Sequence, residues 1–172
     1  MDHPADIRLV PLGREHLSRT RAWANDPELM RLMDRSNTVA ESEHESWFAR
    51  LASRDDCAYF AIEETGSRRH VGNVWLWAID RRHQKAELRI VVGDPSARGR
   101  GIGRQAIELL ACDAMDRLQL HRIYAYVLTI NPKARRAFEA AGFRVEGLLK
   151  DDRRADDGFV DAWLLARVAA EA

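Results

Sequence analysis

The 172-residue sequence predicts an α/β fold in a single domain spanning residues 1–172. Three observations predict it. About seven short β-rich runs are separated by segments of helical spacing, the longest helix directly follows a strand across a glycine-rich turn, and the length suits one hydrophobic core.

From the N-terminus, Ile7 to Leu12 alternates apolar and polar residues up to Pro11, as a short opening strand does. Leu17, Arg21 and Ala24 share a helical face, and Asp26-Pro27 supplies an N-cap and first-turn proline for a second short helix. Glu41 to Leu51 places His44, Trp47, Phe48 and Leu51 at three- and four-residue intervals, which is an amphipathic helix. Cys57 to Glu63 and Val71 to Trp77 form a hairpin around Glu64-Thr65-Gly66-Ser67. In Ala86 to Val92, alternation puts Glu87, Arg89 and Val91 opposite the apolar face of Ala86, Leu88, Ile90 and Val92. A helix over 102–118, a strand over 122–128, a helix over 132–141 closed by Gly142 and two tail strands around Asp156-Asp157-Gly158 complete the chain.

Lys plus Arg equal Asp plus Glu at 27 each, so no global field draws the chain to nucleic acid or to a membrane surface. With no signal-like N-terminus, no long apolar run and two cysteines in apolar contexts, a cytoplasmic location is expected. His44 and His83 each lack a second ligand at metal spacing, so no metal site is expected.

Arg98-Gly99-Arg100-Gly101-Ile102-Gly103 lies between a strand and a helix. This is where free backbone N–H groups and the positive helix end can hold a phosphate, with Arg98 and Arg100 in reach. It lacks the Gly-Lys-Ser/Thr of triphosphate-binding loops and the placement of a dinucleotide fingerprint.

Arg98-x-x-Gly101-x-Gly103, the long helix, the next strand, Asn131-x-x-Ala134 and Gly142-Phe143 together resemble the GCN5-related N-acetyltransferases. Glu146-Gly147 and Asp161 resemble the ribosomal-protein N-terminal acetyltransferase branch. The segments Ile79 to Glu87 and Glu43 to Phe48 are similar to enzymes acting on nucleotide-linked amino sugars. The resemblance implies a mixed, mostly antiparallel sheet, splayed between the fourth and fifth strands and flanked by helices on both faces. It implies acetyl-CoA as co-substrate, with the pyrophosphate on the backbone of 98–103 and the pantetheine arm along Ile90, Val91 and Val92. Asn131, Arg135 and Phe138 fall at further cofactor-contacting positions. Many related chains pair through exposed sheet edges, so a homodimer is one option for this chain, whose sequence does not fix an oligomeric state.

A protonated amine, with a pKa of about 10.4, must lose a proton before attacking a thioester. Glu87 is the candidate base; the alternative is a strand glutamate paired with Arg89 or Arg122. A backbone N–H on a distorted strand near Val91 is the candidate oxyanion donor. The family's usual thiolate-protonating tyrosine and serine positions are here Phe138 and Ala134, which leaves water, Tyr126 or Tyr124, or unassisted thiolate release. Trp47, Trp75 and Trp77 are candidates for an acceptor wall, with core packing as the alternative. The favoured acceptor is an amino-sugar nucleotide, ahead of a peptide N-terminus or a polyamine. A non-catalytic CoA-binding domain is the alternative of another class.

Overall fold

The computed structural model describes residues 6–155 and 158–170. The strands are β1 (Ile7–Pro11), β2 (Ala58–Glu64), β3 (His70–Asp80), β4 (Lys85–Val92), β5 (Arg122–Leu128), β6 (Arg144–Ala155) and β7 (Gly158–Val168). The helices are α1 (Leu17–Ala24), α2 (Pro27–Leu32), α3 (Glu41–Leu51), α4 (Ile102–Asp116) and α5 (Pro132–Ala140). All seven strands form one sheet in the order β1-β2-β3-β4-β5-β7-β6, antiparallel except for the parallel β4–β5 pair. The tail hairpin forms, while Asp156 and Asp157 at its expected tip lie outside the described residues.

That parallel pair is short. β4 and β5 share only Lys85↔Arg122, Ala86↔Ile123 and Glu87↔Tyr124, and then part. Beyond Glu87, β4 keeps unbroken register with β3 as far as Gly72↔Val92, so its other edge faces an opening. The strand is regular there; the one register shift between β3 and β4 lies at Trp77/Asp80, not near Val91.

The two sheet faces are covered differently. α4 packs Ile107, Leu110 and Ala114 into a core with Val74, Leu76 and Leu88. On the opposite face, where Asn73, Trp75 and Trp77 pair across to Val91, Arg89 and Glu87, α1 is tied down by the bond from Asn73 Nδ2 to Thr20 Oγ1 at 3.0 Å. Glu87 is therefore buried at 7% exposure instead of standing in solvent. The expected caps form: Asp26 accepts from Leu29 N at 2.9 Å at the start of α2, and Gly142 takes φ +86 just past α5.

Candidate active site

A cavity of about 570 Å³ opens where β4 and β5 diverge, between the sheet and α1–α3. Leu88 to Val91 form one side of the opening and Tyr126 to Leu128 the other, with Glu87 at the fork itself.

The donor end is built from backbone. Gly99 and Gly101 have φ of +76 and +78, a left-handed conformation that side chains resist, and a Cβ at either would meet nothing within 4 Å. Conformation, not crowding, requires glycine at both. The chain then enters α4 with the amides from Gly99 to Arg104 meeting no backbone carbonyl among the described residues; the first to bond back is that of Gln105, to Gly101 at 3.1 Å. Such a run of free N–H groups at a helix start fits a pyrophosphate. A Cβ on Gly103 would make only ordinary contacts.

Arg98 is turned the other way. Its guanidinium bonds to the carbonyls of Val92 and Gly93 at 3.1 and 3.2 Å and to Glu28 at 3.1 Å, so it fastens the turn to the end of β4 and to α2. Arg100 pairs with Glu64 at 2.7 Å. Asn131 is the N-cap of α5, accepting from Ala134 N at 3.1 Å, and lines the cavity with Ala134 and Phe138. Phe138 is buried edge-on to Phe143 at 5.1 Å. Arg135 pairs with Glu139 and lies over Trp163 at 4.5 Å.

The bond from Gly93 N to Val71 O at 3.0 Å sets the phase of the β3–β4 ladder. By antiparallel alternation, the amides of Arg89 and Val91 then turn to β3, and those of Leu88, Ile90 and Val92 turn to the opening. The side chain of Val91 lines the cavity, but its amide does not face it.

At the acceptor end, the ring of His44 stacks on Trp47 at 5.0 Å, Trp47 meets Tyr59 edge-on at 5.3 Å and Tyr59 stacks on Trp75 at 5.3 Å. All four line the cavity. Burial, foremost, pushes the Tyr59 phenol up to about 12, and burial likewise lowers His44 from its ordinary value. His44 is thus a buried wall residue. Trp77 already carries the Arg54 guanidinium over its ring at 4.3 Å and that of Arg89 at 5.6 Å.

Both oxygens of Glu87 accept from Arg89, at 2.7 and 2.9 Å, while Arg122 pairs with Glu146 instead. A carboxylate has about four acceptor positions, so the bidentate contact leaves two for another partner. Tyr126 stands in the cavity wall at 40% exposure; Tyr124 packs edge-on to it at 5.8 Å, and burial raises its phenol first, the Glu87 charge second. Sequence reasoning missed Tyr59, Arg54 and Arg35 as wall residues. Tyr59 was findable, since it pairs directly opposite Trp75 in the hairpin. Arg54 and Arg35 come from loops whose path no periodicity reveals.

The Ile79 to Glu87 segment has a structural explanation as well. Asp80 Oδ1 accepts from His83 N at 2.9 Å, its Oδ2 bonds to His83 Nδ1 at 2.7 Å, and the Gln84 carbonyl accepts from His121 N and Arg122 N. These residues close the β3–β4 turn and dock it against β5.

A family model described as acetyltransferase (GNAT) domain matches residues 6–144. The chain belongs to the GNAT acetyltransferase family. It is an acetyl-CoA-dependent N-acetyltransferase, and the forked β4–β5 sheet is the fold of that family. The N-acetyltransferase 9-like protein of Nematostella vectensis is 25% identical over 146 residues, covering 80% of this chain and 74% of that protein. Spermidine N(1)-acetyltransferase of Escherichia coli K12 is 28% identical over 143 residues, covering 83% and 75%. The crystal structure of spermidine N-acetyltransferase from Vibrio cholerae in complex with CoA and spermine superposes with a TM-score of 0.89 at 24% identity over 95% of both chains. As an enzyme family member, the chain is set apart from the non-catalytic binding domain considered above.

Proposed function

We propose that this GNAT enzyme acetylates a primary amine of a small molecule by direct transfer in a ternary complex, with Glu87 as the base. The observation that carries the reading is the position of Glu87: it closes the β4–β5 fork, is buried, lines the cavity and keeps two acceptor positions free of Arg89. Acetyl-CoA supplies the acetyl group. The amides from Gly99 to Arg104 hold its pyrophosphate, the free edge of β4 receives the pantetheine arm, and Asn131 and Phe138 bound that channel. Glu87 takes the ammonium proton, directly or through one water. The amide of Ile90 or Val92 faces the developing oxyanion, and Tyr126, in the opposite wall, donates to the departing thiolate.

Amino-sugar nucleotides, polyamines and peptide N-termini are the acceptor classes to compare. The spermidine acetyltransferases among the relatives support a polyamine as the first to test; the amino-sugar resemblance rests on residues that also build a turn. The same reading puts the enzyme in the cytoplasm, with the acetyl-CoA pool. It also has the chain self-associate, a view supported by a dodecameric Vibrio cholerae spermidine acetyltransferase with a TM-score of 0.79. Calorimetric titration with acetyl-CoA, followed by a CoA-release screen of amines with mass detection of products, tests the function. Saturable micromolar binding and an acetylated amine are expected; absence of binding at high micromolar concentration would overturn it.

A further inference from the structure

The acceptor end of the cavity has a charge pattern that narrows what it can take. Two carboxylates line the cavity, Asp34 and Glu87, against four guanidinium groups, those of Arg35, Arg54, Arg89 and Arg153. Each carboxylate already carries an arginine: Asp34 meets Arg153 at 3.0 Å, and Glu87 is bridged by Arg89, which leaves it room for the one reacting amine. Arg54 is neutralised by a two-point contact with Asp56 at 2.8 and 2.7 Å. Arg35 makes no ion pair with any described residue, although its charge, with those of Arg89 and Arg54, acts on the Tyr59 phenol.

The aromatic wall points the same way. Trp77, the ring best placed beside Glu87 to hold an ammonium, is already faced by Arg54 and Arg89. A protonated polyamine brings, beyond the amine at Glu87, further positive charge to a lining whose carboxylates each already hold an arginine and whose Arg35 has no ion pair among the described residues. A ligand with an anionic oxygen group instead meets Arg35.

We infer that the acceptor is an amine that also carries a carboxylate or phosphate, with the amine at Glu87 and the anion beside Arg35 at the Tyr59 end of the cavity. The inference deepens the proposed acetyltransferase reading and rests on it. It separates this chain's chemistry from that named for its spermidine-acetylating relatives. Arg35 is the guanidinium of the lining with no ion pair among the described residues, whereas already paired groups offer a newcomer little.

The test compares matched amines in the CoA-release assay: 4-aminobutyrate against putrescine for a carboxylate, glucosamine 6-phosphate against glucosamine for a phosphate, with spermidine alongside. At least one anionic member is expected to exceed its matched partner and spermidine about tenfold or more in kcat/KM, and which pair responds identifies the anion. Arg35→Glu, at an exposed position, should bring that preference to parity or reverse it while the acetyl-CoA Kd stays as in the wild type. Preference for spermidine or putrescine, equal rates within both pairs, or no turnover of any member by protein that binds acetyl-CoA would each overturn the inference and leave the donor reading standing. Failure to bind acetyl-CoA would instead bring down the functional reading on which it depends.

Discussion

At the scale of single residues, Glu87 gathers the most consequences. Its carboxylate is positioned by Arg89 two residues along the same strand face, so the arginine orients the group while leaving lone pairs for a proton. Glu87→Gln keeps the shape and removes the basicity. A fall of about 10²-fold or more in kcat is expected, with the acetyl-CoA Kd unchanged. Retained activity in that variant would move the proton to water and make Glu87 a structural partner of Arg89. The sequence offered both roles, and the structure shows why they are compatible: pairing with Arg89 uses only part of the acceptor capacity. Arg98 is the opposite case. Its charge made it a phosphate contact on paper, but a guanidinium six residues past Val92 finds two carbonyls at the strand end.

At the scale of elements, the turn before α4 illustrates what pattern can reveal. Gly99, Gly101 and the strand and helix on either side were legible because glycine spacing and apolar periodicity are local properties. Gly101→Ala should cost about 1–2 kcal/mol in chemical denaturation, since the left-handed φ of +78 is the only obstacle, and should weaken acetyl-CoA binding in parallel. A stability loss without a loss of binding would separate the turn from the donor site. Element boundaries were also nearly right, with β3 extending three residues beyond Trp77 through the irregular register before the turn. Less legible was the acceptor wall: α3 was recognised, but which of its neighbours faced the cavity depends on how α1, α2 and the loop at Arg54 cross the sheet, and that is a tertiary matter.

For the whole molecule, pH dependence follows from buried and paired groups acting together. Burial, above all, lowers His70 from its ordinary 6.5, so the unfolded chain accepts a proton that the folded chain resists. That contribution to stability is present above pH 6.5 and declines as pH falls toward the folded value. Glu63 is held below its ordinary value: burial opposes ionisation, but the bonds from His16 and Arg8 prevail. The partly screened pairs of Glu64 with Arg100 and of Glu146 with Arg122 act in the same direction. Folded carboxyls with depressed values stabilise above about pH 4 and lose that contribution as pH falls through them. Thermal unfolding should therefore show Tm declining in two stages, the first below pH 6.5 and the second below about pH 4. His70→Gln should shrink only the first, leaving the part that the buried His44 contributes. A Tm constant from pH 7 to 5 in the wild type would rule out the histidine contribution.

The fork between β4 and β5 gives this architecture a metric property. If the donor lies along β4 as an added rung of the ladder, the strand becomes a scale on which the thioester is read off against Glu87. A slip of one residue between β3 and β4 would displace the reacting carbon by about 3.3 Å and invert every side chain, carrying Glu87 and Arg89 out of the cavity together. Chemistry and register thus fail at the same step. The asymmetric β3–β4 turn, pinned by Asp80 and His83 and anchored to β5 through Gln84, serves as the zero mark of that scale.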